Sequence, residues 1–144
     1  QSIEDAHPFA RVFAEYTFPI SESLGLVSGF DLDERKWRCW LVNENGDVQK
    51  IMTWGEKRLI DFSIDQETQA ITILLNDGNE RDASTGVILH GPTFDELTEV
   101  SEIAFEEMMK PISITQWGSK IYLGREDGQI WQASLITASS EISQ

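Results

Sequence analysis

Cysteine, histidine and basic side chains are scarce in this sequence of 144 residues. The single cysteine, Cys39, excludes an internal disulfide and lies in an apolar run, where we expect a small buried residue. The two histidines, His7 and His90, have no cysteine or second histidine at metal-ligand spacing, so we expect no metal site and no cofactor. Gly-rich phosphate loops and catalytic signatures are also missing, and the sequence therefore predicts that the protein is not an enzyme.

Long apolar runs are missing as well. No stretch approaches the roughly 20 apolar residues that a transmembrane helix needs, so the sequence predicts a soluble protein with no membrane partner. Since a lone cysteine suits a reducing compartment, we expect a cytoplasmic location. The start at Gln1 without a Met leaves a processed or truncated chain as an alternative.

Acidic residues greatly outnumber basic ones. The chain has 25 Asp and Glu against 11 Lys and Arg, which gives a formal net charge of -14 and a pI near 4.3. Such a surface repels phosphate, which argues against nucleic acid and anionic membranes as partners. It attracts basic proteins, and solubility alone is the other explanation for the acidity.

The hydrophobic pattern mostly has a period of two. Three turn signals, Asn45-Gly46, Asp77-Gly78 and Asp127-Gly128, each follow an apolar run, and their residues tolerate positive φ angles. Residues 60–65 alternate between large apolar and small polar side chains, which is typical of a half-buried strand. The length suits one domain over residues 1–144.

A helix is predicted over about 93–110. Thr93 and Glu96 have the spacing of a capping box, and Pro111 ends the segment. Its apolar residues form one stripe and include Leu97, Val100, Ala104 and Met108. The predicted fold class is therefore α+β: a mostly antiparallel β-sheet or partly closed barrel of hairpins, with this one helix packed on it.

Two short segments show local similarity to known or repeated patterns. Residues 118–135, which read G-S-K-I-Y-L-G-R-E-D-G-Q-I-W-Q-A-S-L, resemble one hairpin of a β-propeller blade. A complete propeller needs at least four blades of roughly 40 residues, so the resemblance implies a hairpin and does not set the fold. Residues 51–57 and 114–120 share the pattern I-x-x-W-G-x-K, which we interpret as similar turns and not as a duplicated domain.

Two candidate binding surfaces follow from these elements. Four carboxylates spaced four, three and four residues apart would line one face of the predicted helix: Asp95, Glu99, Glu102 and Glu106. A second surface would carry Arg38 and Trp40, if residues 37, 39 and 41 face the core, because a Trp and an Arg commonly anchor interfaces. A solvated outer face and a covering layer of the sheet are the respective alternatives.

The function that these features favour is binding and neutralising a basic protein partner, as inhibitors and immunity-type proteins do. This hypothesis is an analogy of charge and size. One alternative is a β-rich interaction or scaffold domain of a larger protein. A further alternative is a small ligand-binding or carboxylate-using enzyme barrel.

Overall fold

The computed structural model describes residues 12–77, 86–100, 111–125 and 127–134. These residues are nearly all β and form three antiparallel sheets. The chain divides into two compact units, one ending at Arg58 (unit 1) and one beginning at Leu59 (unit 2). A single domain over residues 1–144 stays a prediction.

Unit 1 contains a four-stranded sheet, sheet A, in which each strand pairs with the next along the chain. Its strands are β1 (Val12–Ser21), β2 (Leu24–Asp31), β3 (Lys36–Asn43) and β4 (Val48–Met52). The predicted turn between β3 and β4 is confirmed, with Gly46 at a φ of 84°. Its buried residues include Leu26, Cys39, Trp40, Leu41 and Met52, and the expected burial of Cys39 is confirmed.

Unit 2 contains two sheets. Sheet B has the order β5 (Lys57–Ile64), β6 (Ile71–Asp77), β7 (Gly86–Gly91) and β8 (Thr98–Val100), and the first two residues of β5 belong to unit 1. Sheet C consists of β9 (Pro111–Trp117), β10 (Lys120–Arg125) and β11 (Ile130–Ser134), with β10 in the middle.

The core of unit 2 forms where sheets B and C meet. Its buried residues are Leu74 and Ile88 from sheet B and Ile114, Ile121 and Leu123 from sheet C. The predicted hairpin that joins β10 to β11 is confirmed, with Gly128 at a φ of 91°. The predicted hairpin at Asp77-Gly78 has its tip outside the described residues, and its strands β6 and β7 pair antiparallel.

The predicted helix over 93–110, and with it the α+β fold class, is wrong. Residues Phe94–Glu96 form a single 3₁₀ turn, Thr93 is extended and makes no side-chain cap, and Thr98–Val100 are strand β8. Residues 101–110 lie outside the described residues. Val100 pairs with Ile88 of β7 and packs on the core of unit 2, so tertiary contacts override the local helix signal.

Among the residues that the structure describes, no helix is long and apolar enough to cross a membrane.

Candidate functional site

The predicted carboxylates lie on a turn and a short strand. Asp95 is in the 3₁₀ turn and Glu99 is on β8, and both are exposed together with Glu96 between them. The helical face predicted for Asp95 and Glu99 is therefore wrong, and Glu102 and Glu106 lie outside the described residues. We call Asp95, Glu96 and Glu99 the carboxylate segment.

The carboxylate segment is held against the end of β7. The backbone N–H of Glu96 donates to the carbonyl of Thr93 at 3.2 Å, and a Cβ atom added at Gly91 would overlap the carbonyl oxygen of Glu96. Glycine at 91 is what lets the chain fold back this closely. Residues 86–100, which include these carboxylates, contain no Lys or Arg.

The second predicted surface is largely occupied by contacts inside unit 1. Trp40 lies opposite Val27 of β2 and is 2% exposed, so its side chain is buried. The guanidinium of Arg38 lies 3.4 Å from the carboxylate of Asp31 and 4.0 Å from that of Glu34. The structure thus brings Arg38 to acidic neighbours within its own unit.

Sequence reasoning missed a cleft in unit 2. Residues 63–67 and 115–118 line an open cavity of about 680 Å³. Trp117 lines this cleft, and 75% of its surface is exposed. Its ring makes an edge-to-face contact with the ring of Tyr122, with 6.3 Å between the ring centroids. The available signal was the pattern I-x-x-W-G-x-K, in which a glycine with a positive φ follows the tryptophan in each copy, with Gly55 at φ 62° and Gly118 at φ 60°.

Hydrogen bonds from β9 to side chains of the β5 region join sheets B and C beside this cleft. The backbone N–H of Ile114 donates to the carboxylate of Asp61 at 2.8 Å. The N–H of Gln116 donates to the hydroxyl of Ser63 at 3.0 Å. The N–H of Gly118, just after β9, donates to the carboxylate of Asp65 at 3.3 Å. The outward N–H groups of an edge strand are thereby satisfied by side chains of another sheet.

The pKa values of Asp61 and Asp65 are shifted in opposite directions. Burial raises the pKa of Asp61, although the N–H groups of Ile114 and Phe62 oppose this. The pKa of Asp65 is lowered, chiefly because the hydroxyl and N–H of Thr68 donate to it at 2.7 and 3.0 Å. Asp65 therefore acts as an ionised acceptor that orders the loop after β5.

A polar network continues from the hydrogen bonds of β9 into the interior of unit 2. The hydroxyl of Thr72 donates to the side-chain oxygen of Gln116 at 2.6 Å, and the amide nitrogen of Gln116 donates to the carbonyl of Gly118 at 3.0 Å. Because the one hydroxyl proton of Thr72 is used, the 3.1 Å contact with Nδ1 of His90 requires a proton on that nitrogen. Burial lowers the pKa of His90, with the carbonyl of Ile71 acting in the opposite direction.

Nucleophilic and metal chemistry find little support in this arrangement. Burial raises the pKa of Cys39 to about 12, so its thiol is protonated at neutral pH and is a poor nucleophile. Within the described ranges, no three His, Cys, Asp or Glu side chains converge in a way that could hold a metal ion.

The net charge is distributed very unevenly between the two units. Unit 2 contains 15 acidic and 4 basic residues, a net charge of -11, whereas unit 1 contains 10 acidic and 7 basic residues, a net charge of -3. No protein-family model, curated protein or solved structure matches this chain.

Proposed function

We propose that this chain is an acidic protein-binding domain that neutralises a basic protein partner, as inhibitors and immunity-type proteins do. The observation that carries this proposal is the concentration of -11 of the total charge of -14 in unit 2. Solubility needs no such concentration, because charge spread evenly over both units would serve it equally.

Local charge balance supports unit 2 as the binding unit. In unit 1, Arg58 forms a bidentate pair with Glu15, with its Nε 2.7 Å from a carboxylate oxygen, and Arg38 lies beside Asp31. In unit 2, Glu96 and Glu99 of the carboxylate segment are exposed. These exposed carboxylates create a negative potential that attracts Lys and Arg side chains of a partner.

The experiment compares two double variants that remove the same amount of charge. Glu96→Gln with Glu99→Gln changes the carboxylate segment, and Glu22→Gln with Glu44→Gln changes exposed turns of unit 1 as a matched control. Binding of a Lys/Arg-rich peptide is measured by calorimetry at low ionic strength. Since an exposed charge pair contributes roughly 0.2–1 kcal/mol, losing two should weaken binding about 2- to 30-fold.

The proposal predicts that loss for the unit 2 variant and little change for the control. Equal losses in both variants would show that only the net charge matters and would remove the carboxylate segment as the docking surface. No measurable binding of the peptide by the unmodified chain would overturn the proposed function itself. Circular dichroism of both variants checks that each remains folded.

The alternative of a β-rich interaction or scaffold domain is favoured by a separate observation, the uncovered outer face of sheet C described below. The ligand-binding alternative comes third. Its cleft has a volume in the range of small-molecule sites, but the buried carboxylate of Asp65 is already occupied by hydrogen bonds from Thr68 and Gly118.

A further inference from the structure

Exposed large apolar side chains are concentrated on the first strand of unit 1 and on sheet C of unit 2. Nine such side chains are exposed among the described residues, and six belong to these two elements. They are Phe13 and Tyr16 on β1, and Ile112, Trp117, Ile130 and Trp131 on sheet C. Phe13, Trp117 and Ile130 are more than 70% exposed, which is unusual for side chains that water solvates so poorly.

Sheet C has one covered face and one open face. Ile114, Ile121 and Leu123 point into the core shared with sheet B. Their strand neighbours point the other way and form the outer face of sheet C, which is made up of Ser113, Thr115, Trp117, Lys120, Tyr122, Ile130 and Gln132. No carboxylate belongs to this set of described residues, although the chain carries a net charge of -14.

The covered side of sheet C shows how this protein joins two sheets. Asp61, Ser63 and Asp65, in and just after β5, accept hydrogen bonds from N–H groups at the free edge of β9. Leu74 and Ile88 supply the apolar contact. The outer face of sheet C also combines small hydroxyl side chains with large apolar ones. Ser113 and Thr115 alternate on its first strand, next to Trp117, Tyr122 and Ile130.

The chain itself supplies the element that such a face would receive. Strand β1 is the first and edge strand of sheet A, as β9 is of sheet C, and it exposes Phe13 and Tyr16. Its one carboxylate, Glu15, is already paired with Arg58 at 2.7 Å. Contact between β1 and the outer face of sheet C would therefore bury aromatic side chains without burying an unpaired carboxylate.

We propose that the outer face of sheet C binds strand β1 of a second copy of this chain, in a head-to-tail contact. A basic partner does not suit this face, because the face offers no carboxylate to attract one. The contact joins two different surfaces, so it is heterologous and can be repeated by each copy. This inference is independent of the proposed function, since it uses a face of unit 2 that has no carboxylate and not the carboxylate segment.

Salt should affect the two interactions in opposite directions. Binding of a cationic partner weakens as ionic strength rises, because salt screens the attraction. Self-association of a chain with a net charge of -14 should strengthen instead, because salt screens the repulsion between copies while the contact itself is apolar.

Sedimentation velocity over a range of protein concentrations tests the proposal. Trp117→Glu places a carboxylate on the outer face of sheet C, and Phe13→Glu places one on β1. Ile51→Glu is the matched control, since Ile51 is 52% exposed on β4 and lies outside both surfaces. The unmodified chain and the control should self-associate, and each of the two interface variants should weaken association at least about tenfold.

Mixing the two interface variants gives the sharpest result. Each variant alone has one damaged surface in every contact, but the mixture retains one intact contact, between sheet C of Phe13→Glu and β1 of Trp117→Glu. The mixture should therefore form a heterodimer. A chain that stays monomeric at about 1 mM in high salt would overturn the proposal. So would a loss of association in Trp117→Glu with no loss in Phe13→Glu, or a mixture of the two variants that fails to associate.

Discussion

Leu74 is completely buried, and as a single residue it reports on the packing of sheet B against sheet C. Leu74→Ala should lower the free energy of unfolding by about 2–5 kcal/mol, because it removes buried methyl groups and leaves a cavity. Ile51→Ala, at a 52% exposed position, should change it by no more than about 0.5 kcal/mol. Denaturant unfolding measures both, and similar values for the two variants would show that this core is wrongly assigned.

His90 should give the stability of the protein a pH dependence. Burial lowers its folded-state pKa below the value of about 6.5 in the unfolded chain, so the unfolded chain binds more protons. Neutral His90 therefore stabilises the folded state fully above about pH 6.5. This stabilisation is lost as the pH falls from the pKa of His90 in the unfolded chain to its lower pKa in the folded protein.

The measurement is the free energy of unfolding between about pH 7.5 and 5.5, a range above the usual titration of carboxyl groups. Stability should fall with pH in the unmodified chain and fall less in His90→Gln. The same slope in both proteins would mean that another group is responsible.

At the scale of elements, Asp61 joins β5 to β9. Asp61→Ala leaves the N–H of Ile114 without its 2.8 Å acceptor and should cost about 1–3 kcal/mol of stability. Asp61→Asn keeps a side-chain oxygen and removes a charge whose burial is unfavourable, so it should be nearly neutral or stabilising at pH 7. Equal destabilisation by both substitutions in denaturant unfolding would contradict this role for the acceptor oxygen.

Elements defined by local chemistry could be predicted from the sequence, and those defined by distant contacts could not. The hairpins at Gly46 and Gly128 follow from the positive φ angles that these turns require. The segment after Thr93 has the spacing of a capping box, yet Val100 pairs with Ile88 and becomes part of a strand. No local pattern contains that pairing.

The candidate sites show the same division. Strand alternation places Trp40 and Cys39 on opposite faces of β3. It does not reveal that both faces are covered, so that Trp40 is only 2% exposed. Trp117 was missed for the converse reason. A tryptophan in a strand is normally expected in the core, and its 75% exposure depends on sheet C having one open face.

At the scale of the whole molecule, charge is the feature most directly linked to function. Unit 2 carries -11 and unit 1 carries -3, so a basic partner should be drawn mainly to unit 2. Electrostatic attraction of this kind acts mostly on the rate of association and less on dissociation.

The most direct test is stopped-flow measurement of the association rate with a Lys/Arg-rich peptide as ionic strength rises. Acidic steering predicts that the association rate falls steeply with salt while the dissociation rate changes much less. The variant with Glu96→Gln and Glu99→Gln should show a shallower salt dependence than the variant with Glu22→Gln and Glu44→Gln. An association rate that does not depend on salt would contradict binding through the acidic surface.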